Sequence, residues 1–235
     1  MAVSDLPYGS ALIVGTGPGI SASVARALAS AGLKVAVAAR NAEKLQPLAA
    51  EIGAEAFAVD ATDPAAVARL FDEVEGRIGV PEVVLFNAAG WARGPIADLD
   101  PDVVRQAITV SAFGGFLTVQ QAAKRMLSLG RGAILLTGAT ASIKGFAHSA
   151  PFAMGKFALR GLAQSAAREL APKNIHVAHF IIDGVVRGEL RPEPADRPDS
   201  RLDPDAIAQT YLDILAQPRN AWTWEIELRP WVETF

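Results

Sequence analysis

Cysteine is absent from this 235-residue chain. That excludes disulfides, thiol catalysis and zinc sites built on cysteine. Histidine is scarce, with only His148, His176 and His179. The last two fall in one apparent strand at an odd spacing, so they face opposite sides and do not form a metal pair. No metal is expected. No run of about 18 apolar residues occurs, so nothing is expected to span a bilayer. Residues 1–7 have neither a basic n-region nor an apolar h-region and do not read as a signal peptide. No basic run or basic amphipathic helix points to nucleic acid or a membrane surface. The formal net charge is -3, with both signs mixed along the chain. A soluble cytoplasmic protein is the default expectation.

What is present is apolar. Hydrophobic residues make up 51% of the chain, which favours a folded domain over a disordered one. The length fits a single α/β domain covering 1–235. Short apolar runs at 11–14, 35–39, 56–59, 83–86, 133–136, 175–181 and 224–228 read as strands. Helical patterns alternate with them, at 21–31, 43–52, from Asp63-Pro64 onward, and at 103–129, 150–170 and 204–216. Strict alternation implies a parallel sheet with helices on both faces. The strands are continuous apolar runs, as strands buried on both faces should be. In such a sheet, ligands bind beyond the carboxyl ends of the strands. Residues 187–203 are rich in proline and charge and lack periodicity. They are expected to form a mobile loop over the ligand edge; an ordinary disordered surface loop is the alternative.

Gly15-Thr16-Gly17-Pro18-Gly19-Ile20-Ser21 follows the first strand and opens a helix. Glycines let a backbone turn sharply and approach a pyrophosphate, which the helix N-terminus stabilises. Ile20 occupies the third glycine of G-x-G-x-x-G. A glycine-rich turn without a ligand is the alternative, but the order strand, turn, helix argues for a nucleotide. Arg40 closes the second strand. Chains that prefer NAD place an acid there for the ribose 2′-hydroxyl, whereas an arginine suits the 2′-phosphate of NADP. NADP(H) is therefore expected over NAD(H).

With these features in place, the chain resembles the short-chain dehydrogenase/reductase family over nearly its whole length. The family's Thr-Gly-x-x-x-Gly-x-Gly motif reads here as Val14-Gly15-Thr16-Gly17-Pro18-Gly19-Ile20-Ser21. The resemblance implies a three-layer Rossmann-type fold with a doubly wound sheet. It implies that Asp60-Ala61 contact adenine and that Lys156 holds the nicotinamide ribose. Asn87-Ala88-Ala89-Gly90 matches the Asn-Asn-Ala-Gly motif after the fourth strand, and Ile182-Asp183-Gly184 stands where the family has Pro-Gly. It also implies a homodimer or homotetramer, paired through the two long helices. The tail 229–235 is then placed to cover a neighbouring subunit's cleft.

The family's catalytic set is Asn, Ser, Tyr and Lys. Here those positions hold Ser111, Ala139, Phe152 and Lys156. A phenol and an ammonium four apart on a helix share a face, and the cation eases proton transfer from the phenol. Phe152 has no proton to give. Thr140 or Ser142 is expected to polarise a carbonyl in place of the serine, His148 to donate a proton, and Ser111 to anchor a water. Lys156 acting through a bound water is a further option. The alternatives are local backbone bonds for Thr140 and Ser142 and a plain surface role for His148. These replacements resemble a divergent subgroup described as oxidoreductases.

Two function readings follow. One is an NADP-linked oxidoreductase that moves hydride between nicotinamide and a carbonyl or alcohol, with an altered proton donor. The other is a catalytically silent NADP-binding sensor or partner subunit. The substrate is expected to be a small molecule. Trp91 and Arg93 are placed to stack on and pair with a planar anion, unless Trp91 packs under a loop. Trp222, Trp224 and Trp231 are expected in core or subunit contacts.

Overall fold

The computed structural model describes residues 6–234. Residues 1–5 and Phe235 lie outside that range, and with them most of the stretch read against a signal peptide. Seven strands form one sheet: β1 (Ser10–Val14), β2 (Lys34–Ala39), β3 (Glu55–Ala58), β4 (Val83–Phe86), β5 (Gly132–Thr137), β6 (Ile175–Ile182) and β7 (Glu225–Leu228). Their order is β3-β2-β1-β4-β5-β6-β7, and every pairing is parallel. The order reverses between β1 and β4, where the crossovers turn to opposite sides. This is the doubly wound sheet that the alternation requires, and the crevice at that reversal is where such folds bind ligands.

The helices are α1 (Ile20–Ser30), α2 (Gln46–Ile52), α3 (Pro64–Ile78), α4 (Pro101–Ile108), α5 (Gly114–Leu129), α6 (Ala150–Leu170) and α7 (Pro204–Leu215). Three of them start alike. Asp63, Asp100 and Asp203 each precede a proline, and each carboxylate accepts the N–H two residues on. The proline supplies the helical φ and has no N–H to leave unpaired.

Strand parity sorts the core. Ala11 and Ile13 face one layer with Leu28 of α1, Leu48 of α2 and Tyr211 of α7. Leu12 and Val14 face the other with Phe71 of α3, Met126 of α5 and Leu159 of α6. β1, β4, β5 and β6 are buried along their whole length, while the edge strands β3 and β7 are half-exposed. An edge strand lacks one neighbour, so the expectation of full burial fails there. His176 and His179 do take opposite faces of β6. His176 stacks on Trp222 with ring centroids 4.7 Å apart.

Several boundaries shift by one or two residues from the sequence reading, and three differences have a physical reason. β3 begins one residue earlier, at Glu55, because this outermost strand has little buried apolar surface to mark its start. The helix expected at 43–52 begins as a single 3-10 turn before α2. The long helix expected at 103–129 starts at Pro101 and carries a π turn at Thr109–Phe113 between α4 and α5. Residues 187–203 connect β6 to α7. They are held by a bridge between Val186 and Leu202 and by an Arg187–Asp203 ion pair at 2.6 Å.

Candidate cofactor cleft and active site

The carboxyl edge around β1 and β4 opens into a cleft of about 610 Å³. Gly15, Arg40, Asp60, Ala61, Asn87, Ala88, Gly90 and Trp91 all line it. The sequence scatters these residues over four loops, and the sheet brings them to one edge.

Gly15 has φ 85, and a Cβ there would sit 2.3 Å from the Ala88 backbone nitrogen. Only glycine lets the two loops meet so closely. Gly19 has φ 94 and opens α1 with no side-chain cap and no acidic residue in the first turn. A Cβ on Gly17 or Gly19 would meet nothing within 4 Å. The helix therefore presents bare N–H groups beside open space, which suits a phosphate. Ser21 turns back onto Gly17, accepting its N–H at 2.9 Å. Ile20 packs its side chain toward the α1 layer of the core, so a third glycine is not required for the turn to close.

Asp60 bonds the Thr62 N–H at 2.9 Å and the Thr62 hydroxyl at 2.7 Å. These two bonds, with Arg40 adding its charge, hold its carboxyl below the usual carboxylate range. Arg40 is exposed on the other side of the same cleft. The Asn87 side-chain amide reaches the Gly15 carbonyl at 3.3 Å, tying the two loops together.

The catalytic positions cluster around α6. Lys156 is 3% exposed, and its Nζ donates to the Thr137 carbonyl at 2.6 Å. Burial pushes its pKa down to about 8. The Nζ also lies 5.8 Å from the Phe152 ring centroid. Phe152 packs on Trp91, with ring centroids 4.4 Å apart and planes tilted by 60°. The tyrosine position is thus an aromatic wall beside the lysine.

Two expected substitutes are committed elsewhere. Ser111 was given a water-anchoring role, but its side chain is fully buried and accepts the Gly90 N–H at 2.9 Å. The π turn drives Ser111 inward against Gly155, where a Cβ would come within 2.7 Å of the Ser111 Cβ. The bond from Gly90 ties Ser111 to the Asn87–Gly90 loop. Thr140 was expected to polarise a carbonyl, but its hydroxyl donates to Asp183 at 2.5 Å. That proton is already engaged. Ala139 offers no polar side-chain group, and its N–H goes to Ser142 Oγ at 3.1 Å. Ser142 is fully buried, 3.4 Å from His179 Nε2. His148 is exposed with φ 62, and its ring makes no hydrogen bond among the described residues. Its carbonyl accepts the Gly94 N–H at 3.1 Å.

Sequence reading placed Asp183 only within Ile182-Asp183-Gly184 and gave it no role of its own. It is 3% exposed at the end of β6, next to Ile182. Besides Thr140 it faces Arg229 at 3.0 Å, and Gly184 packs on Pro230. One carboxylate therefore clasps the carboxyl ends of β5, β6 and β7. An acid directly after the apolar run Phe180-Ile181-Ile182 was the available signal. A second buried polar line joins His179 to Glu225 at 3.0 Å and Glu225 to Arg160 at 2.7 Å. Desolvation drives the His179 pKa down to about 4, so the ring is neutral near pH 7.

The pattern of the short chain dehydrogenase family matches residues 10–196. The chain belongs to that family. A short-chain dehydrogenase from Rhodopseudomonas palustris is 37% identical, with a TM-score of 0.82 over 95% of this chain and 99% of the other. An uncharacterized oxidoreductase of Staphylococcus aureus strain MW2 is 31% identical over 229 residues, covering 94% of this chain and 96% of its own length. A metagenomic short-chain oxidoreductase solved in complex with NADP is 29% identical, with a TM-score of 0.81 over 94% of this chain and 97% of the other. As a short-chain dehydrogenase the chain has an oxidoreductase fold with a nicotinamide-cofactor cleft. No helix among the described residues is long and apolar enough to cross a membrane. Among those residues no group of three metal-ligating side chains gathers either.

Proposed function

We propose that this short-chain dehydrogenase is an NADP(H)-linked oxidoreductase acting on a carbonyl or alcohol, with an active site that has replaced the family's proton donor. The observation that carries the reading is Arg40, directly after β2 and exposed in the same cleft as Gly15, Thr16, Asp60 and Asn87; the uncapped α1 N-terminus follows Gly15 and Thr16 along the chain. The bare N–H groups of α1 would hold the pyrophosphate, Arg40 the 2′-phosphate, Asp60 and Ala61 the adenine, and Lys156 the nicotinamide ribose. When bound, the cofactor supplies or accepts a hydride. The NADP-bound metagenomic relative supports the same nucleotide.

This chain's own residues do the rest. Phe152 and Trp91 form an aromatic wall beside Lys156. Lys156, with its pKa near 8 and its Nζ 5.8 Å from the Phe152 ring, is protonated at neutral pH and works through a water there. Asp183 fixes the Thr140 loop.

A second reading has its own observation. Phe152 and Ala139 put no hydroxyl at the family's Tyr and Ser positions, and the Thr140 hydroxyl is engaged by Asp183. That favours a silent NADP-binding sensor or partner subunit. In either reading the helices around 103–129 and 150–170 pair subunits into a homodimer or homotetramer. The exposed Phe113, Phe116, Met154 and Phe157 on those helices support this. A carbonyl panel with NADPH at saturation separates the two readings. Turnover by the natural chain supports the enzyme; saturable nucleotide binding without turnover of any member supports the silent protein.

A further inference from the structure

The loops that follow β4 and β5 flank the mouth of the site. Residues 87–97 contain Arg93 as their only charged side chain. Residues 138–149 contain Lys144 and His148 and no carboxylate. The backbone bond from Gly94 N–H to the His148 carbonyl, 3.1 Å, stitches the two loops together. Asp183, the carboxylate that Thr140 of the second loop bonds, is buried and ion-paired with Arg229 at 3.0 Å. Neither Arg93 nor Lys144 has an ion-pair partner among the described residues. These two loops therefore carry cations and no carboxylate of their own; the nearest carboxylate in sequence is Asp98, directly after the first, and Glu189, Glu193, Asp196 and Asp199 lie in the 187–203 segment.

The same mouth is aromatic. Trp91 lines the cleft yet leaves 56% of its surface exposed, and Phe146 leaves 49%. The Arg93 guanidinium carbon lies 5.3 Å from the Trp91 ring centroid. A guanidinium held over a ring keeps its in-plane N–H donors available, and their fork matches a carboxylate. An exposed indole beside a guanidinium without an ion-pair partner offers a flat anion both an apolar contact and a charge partner.

We propose that the substrate is a flat, unsaturated carboxylate, its ring against Trp91 and its carboxylate on Arg93, with Lys144 adding attraction. The inference specifies the substrate class for the oxidoreductase reading above and rests on it for the reacting centre, but not for the binding. Two flanking cations also raise the local concentration of anions and speed their capture.

The probe is naphthoate, with neutral naphthamide as its isostere. Calorimetric titration is run on the natural chain and on Arg93→Gln, each with and without saturating NADPH. Naphthoate should bind about tenfold or more tighter than naphthamide, since a charge-assisted hydrogen bond contributes about that much. Arg93→Gln should remove most of that preference, and added salt should weaken naphthoate binding alone. Equal binding of the two probes, no binding of either, or a preference that survives Arg93→Gln overturns the proposal. The last result would mean the anion sits elsewhere, for example at the α1 N-terminus. NADPH binding is measured separately. A naphthoate preference without NADPH binding upholds the anion site and sinks the oxidoreductase reading. NADPH binding without the preference sinks this proposal alone.

Discussion

Lys156 Nζ donates to the Thr137 carbonyl at 2.6 Å, inside the protein. In most settings an ammonium that deep would be neutralised by a carboxylate. Here its first partner is a main-chain oxygen, and desolvation drives its pKa from 10.5 to about 8.

That shift makes stability depend on pH. Below about pH 8 the lysine is protonated in both states, and the cost of burying its charge is fully present. Between about 8 and 10.5 the unfolded chain holds the proton and the folded chain does not. Folding therefore gains stability as pH rises through that window. Lys156→Met lacks this gain. The difference in Tm, natural chain minus variant, should move upward from neutral pH to pH about 10, by the equivalent of a few kcal/mol at most. A difference that is flat in pH would contradict the assignment.

Phe152→Tyr returns a phenol to the position one helical turn from Lys156. Carbonyl reduction with NADPH should rise by about 10-fold or more, within the range contributed by one positioned acid. The check is kcat/KM on a ketone panel. A rise on no ketone would mean that Ala139 or the engaged Thr140, and not Phe152, limits the chemistry.

Gly90→Ala puts a Cβ 2.3 Å from the Ala107 carbonyl oxygen, so the loop backbone is driven against the backbone of α4. Neither side can yield cheaply. The variant should lose about 3 kcal/mol or more in urea unfolding, with the loss of nucleotide binding exceeding that of a surface control.

Asp183→Ala removes the carboxylate that joins Thr140 to Arg229. Breaking a buried charged contact from one side should cost about 2–4 kcal/mol by chemical denaturation. Asp183→Asn keeps an acceptor for Thr140 and should cost less. Equal losses in the two variants would show that the carbonyl to Thr140 is not what matters.

Much of the fold was legible because its signals are periodic or local. The run 11–14, the glycines after it and Asp63-Pro64 each act over a few residues, and the structure realises them in β1, the α1 turn and α3. The family match covers the same organisation. The site was legible only as positions. Phe152 and Ala139 could be read as losses, since a missing hydroxyl is visible in sequence. The commitments of Ser111 and Thr140 could not be, because they depend on tertiary partners. The π turn carries no hydrophobic period of its own, so the inward rotation of Ser111 left no trace in a pattern read at helical spacing. Asp183 is similar: its partners lie 43 residues before it in Thr140 and beyond β7 in Arg229.

The central claim is that the cleft between Gly15, Arg40 and Asn87 takes NADP(H) in preference to NAD(H). The most direct measurement titrates the purified protein with NADPH and NADH in parallel, reading tryptophan quenching and nicotinamide emission, and repeats both with Arg40→Ser. Saturable binding is predicted, with NADPH tighter by about 10-fold or more and that preference largely lost in Arg40→Ser, as for a charge-assisted phosphate contact. Absence of saturable binding, or an NADH affinity equal to that for NADPH in the natural chain, would contradict it.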